Sequence, residues 1–86
     1  MENTEKEKPA PLQQVAQALG RSTLVRETID CLKQRGVKVS LSLVYKVIAG
    51  DHHRQDVADA FLEVAEEEVV RRRQLGERAR QLIAEV

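Results

Sequence analysis

Apolar residues recur every three or four positions through most of this 86-residue chain, in four stretches separated by glycines or polar loops. In the first stretch Leu12, Val15, Ala16 and Leu19 share one helical face. Pro11 suits its opening position, and Gly20 its stop. In the second, Val25, Ile29 and Leu32 repeat at helical spacing with Leu24 and Thr28 alongside. Ser22 is placed to cap that helix and Gly36 to end it. In the third, Val44, Val47 and Ile48 line one side of a short helix that opens on Ser40 and closes at Gly50. The fourth begins near Arg54 or Gln55, after a loop from Asp51. It carries a 4-3-4 stripe of Ala58, Leu62, Ala65 and Val69 that resumes at Ala79, Ile83 and Val86. The pattern predicts an all-α bundle of about four helices with a long C-terminal helix or helical arm.

The third stretch carries the most chemistry. Ser40 and Ser42 crowd its leading end, Tyr45 and Lys46 follow on the side away from the apolar stripe, and His52, His53 and Arg54 make a basic loop just after it. Short polar side chains at a helix N-terminus, with a cation one turn on, suit entry into a DNA major groove. A second pattern overlaps the first. Val37, Val39, Leu41, Leu43, Tyr45 and Val47 alternate with the residues between them, the period of a half-buried strand. The valines favour a strand as well.

The run Val39-Ser-Leu-Ser-Leu-Val-Tyr-Lys-Val-Ile-Ala-Gly50 resembles the second helix of helix-turn-helix domains of the Cro and phage-repressor, or lambda-repressor-like, type. The resemblance covers about half the chain, Glu27 to Glu67. It departs from the family in one respect: Gly36 lies eight residues before Val44, which lengthens the turn through Gly36, Val37 and Lys38. The resemblance implies that Ser40, Leu41, Ser42, Tyr45 and Lys46 face the groove, while Lys38, His52 and Arg54 hold the phosphate backbone. It implies a bacterial or phage transcriptional regulator of the repressor kind. Read instead as a strand, residues 37–43 would pair with a twin, as in ribbon-helix-helix repressors. Against that stands the dozen residues between Val39 and the next helical run, where ribbon-helix-helix proteins allow a short link. The segment Gln14 to Thr23 also matches a first helix and turn, but Arg26 falls where a buried valine or isoleucine is expected, so it is assigned to packing.

Composition narrows the picture. Tyr45 and Phe61 are the only aromatics, so the core is built from Val, Leu, Ile and Ala. Cys31 is alone, which excludes an internal disulfide and a cysteine-based zinc site, and fits a small buried thiol in a reducing cytoplasm. No apolar run approaches a membrane span, and no signal-peptide pattern opens the chain. The formal net charge is zero but unevenly spread. Residues 20–54 hold seven cations against three acids, a net of +4, and residues 55–86 hold five arginines against eight acids, a net of −3. A basic centre beside an acidic arm can turn one side towards phosphates.

The remaining motifs read as structure. Arg71, Arg72 and Arg73 follow Glu66, Glu67 and Glu68 at the spacing of helix-stabilising ion pairs, which makes a self-neutralised solvated face. His52 and His53 meet no metal-ligand template. No phosphate-binding loop or nucleophile with a base appears, so no enzyme, cofactor, metal or small-molecule substrate is expected. Residues 1–9 lack apolar periodicity and are expected to be a disordered tail. Residues 10–70 form the expected DNA-binding helix-turn-helix domain. Residues 71–86 form an arm for dimerisation, in which Arg72 and Gly76 interrupt the stripe; either the helix breaks near Gly76 and folds back, or the arm pairs loosely. The expected partners are double-stranded DNA and a second copy of the chain. The competing class is a protein-interaction module, an antitoxin-like or adaptor helix bundle.

Overall fold

In a computed structural model of the chain, which describes residues 10–86, four helices follow one another: α1 Pro11–Leu19, α2 Arg21–Gln34, α3 Leu41–Ala49 and α4 Gln55–Glu85. The expected all-helical architecture with a long last helix is present. No strand occurs among the described residues, so the period-two alternation of residues 37–48 does not become a ribbon. The tail expected over residues 1–9 lies outside the described residues. No described helix is long and apolar enough to cross a membrane.

Local signals place most of the boundaries. Pro11 opens α1 where its missing N–H costs nothing. The cap expected from Ser22 does not form. Gly20 donates to the Ala16 carbonyl at 2.8 Å and accepts from the Leu24 N–H at 3.3 Å, so this one residue closes α1 and opens α2, and Ser22 is already helical. At the end of α2, Gly36 N–H bonds the Lys33 carbonyl (3.0 Å) and Val37 N–H the Leu32 carbonyl (2.8 Å). The same pair of bonds closes α3, from Gly50 to Val47 (3.1 Å) and from Asp51 to Lys46 (2.9 Å). Both are Schellman motifs, and both need the left-handed backbone that Gly36 (φ 82°) and Gly50 (φ 89°) adopt.

The core forms where the four helices meet. Phe61, Val57, Val64 and Ala65 of α4 pack with Leu24, Val25 and Leu32 of α2, Val44, Val47 and Ile48 of α3, and Ala16 of α1. Thr28 is the one buried polar side chain among the described residues, and its hydroxyl donates to the Leu24 carbonyl at 2.7 Å. Cys31, expected to be buried, is half-buried at the edge of this core, since α2 turns it towards the rim beside Arg35 and Glu27.

Helix α4 outruns the bundle. It continues through Gly76 with helical backbone, so the break and fold-back considered for that position do not occur. Beyond Ala65 none of its residues is buried. The radius of gyration is 16.0 Å, against about 12 Å for a compact chain of this size. Arg72 explains its own interruption of the stripe. Its Nε donates to Glu68 Oε2 at 2.7 Å and its Nη2 to the Leu19 carbonyl at 2.5 Å, satisfying the C-terminal end of α1. Arg71 bonds the same Glu68 carboxylate, so the Arg-rich run is partly neutralised on its own helix, as expected.

Candidate nucleic-acid interface

Helix α3 owes its position to a division of its two faces. Val44, Val47 and Ile48 are buried and lock it between α1, α2 and α4, which leaves the opposite side and the leading end free. Ser40 starts it as read from the sequence: its backbone is extended (φ −88°, ψ 158°) and its Oγ accepts from the Leu43 N–H at 3.0 Å. Ser40 and Ser42 are exposed, and Leu41 is 55% exposed although apolar. Lys46 stands one turn later on the open side, and Lys38 just before the cap; both are exposed. Neither has an acidic partner among the described residues. Leu43 is half-buried against the core, so it steadies the leading end without facing outwards.

Tyr45 is half-buried, and the guanidinium of Arg21 lies over its ring, 5.6 Å from the centroid. A cation stacked on an aromatic face is held in place without losing its charge. Arg21, the first residue of α2, is thereby brought beside α3 and adds a third cation, with Lys38 and Lys46, to this face. Sequence reasoning counted the charge of Arg21 but had no signal that would place it against a tyrosine 24 positions away.

The loop after α3 is divided. His52 and His53 are exposed. Arg54, expected to hold a phosphate, pairs with an acid in the free chain while staying partly exposed: its Nε and Nη2 donate to Asp56 Oδ1 (3.0 Å) and Oδ2 (2.8 Å). This two-pronged pair holds the Asp56 carboxyl below its usual range and raises Arg54. Asp56 also accepts from the Val57 N–H at 2.9 Å, at the positive end of the α4 dipole. Arg54 is therefore a structural clamp on the start of α4. Ser40, Leu41, Ser42 and Lys46, by contrast, share the open side of one short helix, flanked by Lys38 and by Arg21 on Tyr45.

No protein-family model matches the chain, and no curated protein or solved structure matches it.

The open face of α3 sets hydroxyl, apolar and cationic groups side by side. Hydroxyls can donate or accept, Leu41 offers an apolar contact, and the cations sit around them as point charges. Among the described residues no group of three or more His, Cys, Asp or Glu side chains comes together to hold a metal ion. A depression lined by Ala10, Leu12, Gly50, His52, His53 and Arg54 lies beside the end of α3, its polar groups coming from that loop and from Gln55 at the start of α4.

Proposed function

We propose that this chain binds double-stranded DNA through α3 and acts as a sequence-specific transcriptional regulator of the repressor kind, a binding role and not a catalytic one. The observation that carries the reading is the two-faced α3. One stripe is buried by the bundle, while Ser40, Leu41, Ser42 and Lys46 lie on its open side with Lys38 and Arg21 at the flanks. A helix carried this way can enter a major groove with its N-terminal residues against base edges. The serines would hydrogen-bond base edges or phosphates, Leu41 would meet a thymine methyl, and Lys46 a guanine edge or a phosphate. The likeness of residues 39–50 to the second helix of Cro-type domains supports the same assignment. Arg54 would have to exchange its Asp56 partner for a phosphate, so it adds less to the net charge of the contact than a free cation.

The test is the salt dependence of binding, read by fluorescence anisotropy on a labelled duplex. Three phosphate contacts, from Arg21, Lys38 and Lys46, give a slope of log affinity on log salt of about −2.7. Lys46→Glu should abolish binding while leaving the helical circular dichroism intact, since Lys46 is exposed. Affinity indifferent to salt, or unchanged in Lys46→Glu, refutes the assignment.

A further inference from the structure

The stripe that seats α4 on the core does not end where the core ends. Leu75, Ala79 and Leu82 stand 18 residues after Val57, Phe61 and Val64, which is about five full turns of helix, so they fall on the same side of α4. Val57, Phe61 and Val64 are buried, yet Leu75 is 58% and Leu82 65% exposed, with Ile83 and Val86 open beside them. A helix that keeps its buried stripe after its own bundle has run out is presenting that stripe to something else. Leu75, Ala79, Leu82 and Val86 follow a 4-3-4 spacing, the seam of a paired helix. Arg78 and Glu85 border this seam on one edge, Gly76 and Ile83 on the other. Neither Arg78 nor Glu85 has an ion-pair partner within the chain among the described residues.

We infer that residues 75–86 of α4 pair antiparallel with the same residues of a second copy of this chain. The bundle sets the direction. The distal stripe continues the side of α4 that the bundle covers, so a parallel partner would need its bundle in the space that the first one fills. An antiparallel partner carries its bundle beyond the opposite end of the seam, where the two do not meet. One register then satisfies every seam position: Leu75 lies opposite the partner's Val86 and Ala79 opposite the partner's Leu82, each twice by symmetry. The same register sets Arg78 beside the partner's Glu85, opposite charges flanking the seam, again twice. On the other edge it sets Gly76 beside the partner's Ile83, so the glycine leaves room for a branched side chain. The copies of Arg71, Arg72 and Arg73 stand more than about 20 Å apart along the helices, clear of one another. The chain's own first nine residues do not fit the stripe, since Met1 is their only large apolar side chain. This inference is independent of the DNA reading.

In this register the twofold axis passes between Arg80 and Gln81. Glu67 is exposed and lies outside the seam. Its two copies stand roughly 40 Å apart along the helices, against under about 20 Å in a parallel pair. The experiment uses the full chain without DNA. Sedimentation at up to about 0.5 mM gives the mass, since a seam of about three turns calls for a micromolar dissociation constant. Pulsed electron resonance gives the distance between spin labels on Glu67→Cys in a Cys31→Ser background. The inference expects a dimer with the long distance. Leu82→Glu, at an exposed site that leaves the bundle intact, should raise the dimer dissociation constant at least about tenfold. Arg78→Glu and Glu85→Arg should each raise it about fivefold at low salt, while an equimolar mixture of the two pairs as tightly as the parent. A chain that stays monomeric, an assembly larger than a dimer or the short distance would overturn the inference. So would a Leu82→Glu protein that dimerises as well as the parent, or a mixture that pairs no better than its components.

Discussion

Ser40 is assigned two jobs, and a pair of substitutions pulls them apart. Its Oγ accepts the Leu43 N–H at 3.0 Å, so Ser40→Ala leaves one backbone donor of α3 without its protein partner. Capping serines replaced by alanine cost about 0.5–2 kcal/mol. Ser40 is exposed, so water takes over the freed N–H and the loss should sit near the middle, about 1 kcal/mol. For a domain of this size, that corresponds to a fall in Tm of about 4–8 °C. Ser40→Asp keeps an acceptor at the same place and adds a charge that the helix N-terminus welcomes, so its Tm should equal or exceed the parent's. In DNA binding the order reverses. Ser40→Ala keeps part of the affinity, whereas Ser40→Asp brings a carboxylate against phosphates and loses it. Thermal unfolding followed by circular dichroism and anisotropy on one duplex read both properties. An aspartate variant that melts as low as the alanine one would refute the cap; an aspartate variant that binds like the parent would refute the placement of Ser40 in the interface.

Two further outcomes follow from the same structure. Asp56 and Glu68 are both held below their usual range, chiefly by hydrogen bonds from Arg54 and Arg72. The folded state therefore binds fewer protons than the unfolded one there. The stabilisation is present above the ordinary carboxylate values of 3.8 and 4.5 and is lost as pH falls through the depressed ones. Asp56→Asn should flatten the acid limb of a Tm-against-pH curve, and an unchanged limb would remove the Arg54 clamp. Gly36→Ala and Gly50→Ala should both lower Tm, because each glycine holds positive φ. Gly50→Ala should be the worse, since a Cβ there lies 3.3 Å from that of Ala10 while Gly36 opens onto free space. Equal Tm losses would contradict the close approach of Ala10.

What could be read from residues alone was what is decided locally. Pro11, Ser40, Gly36 and Gly50 mark their helix ends because a missing donor, a capping hydroxyl and a left-handed turn act within a few residues. The alternation of residues 37–48 offered a rival strand because both periods fit a short apolar segment. The caps at Ser40 and Gly50 favour the helix, and the core side of Val44, Val47 and Ile48 seals it. Ser22 failed as a cap because α2 starts at Arg21 with Gly20 in the N-cap position, so Ser22 already lies inside the first helical turn. Gly76 was weighed as a break. One glycine inside a helix costs about 1 kcal/mol relative to alanine, too little to end a 31-residue helix whose neighbours are Arg, Gln, Leu and Glu. In the candidate interface, the residues of α3 were legible as a polar edge on an apolar helix. The stacking of Arg21 on Tyr45 was not, since it depends on where the chain returns in space; the Arg54–Asp56 pair spans only two positions and was open to local reading, but Arg54 was read towards phosphate instead.

The central claim is that α3 meets DNA, and the most direct measurement is a two-dimensional amide NMR titration of the isotope-labelled chain with a 20-base-pair duplex at low salt. The account predicts shifts concentrated from Lys38 to His53, with a further group at Arg21 beside Tyr45 and little change beyond Arg72. Shifts confined to the C-terminal half of α4, or a spectrum that does not move, would contradict it.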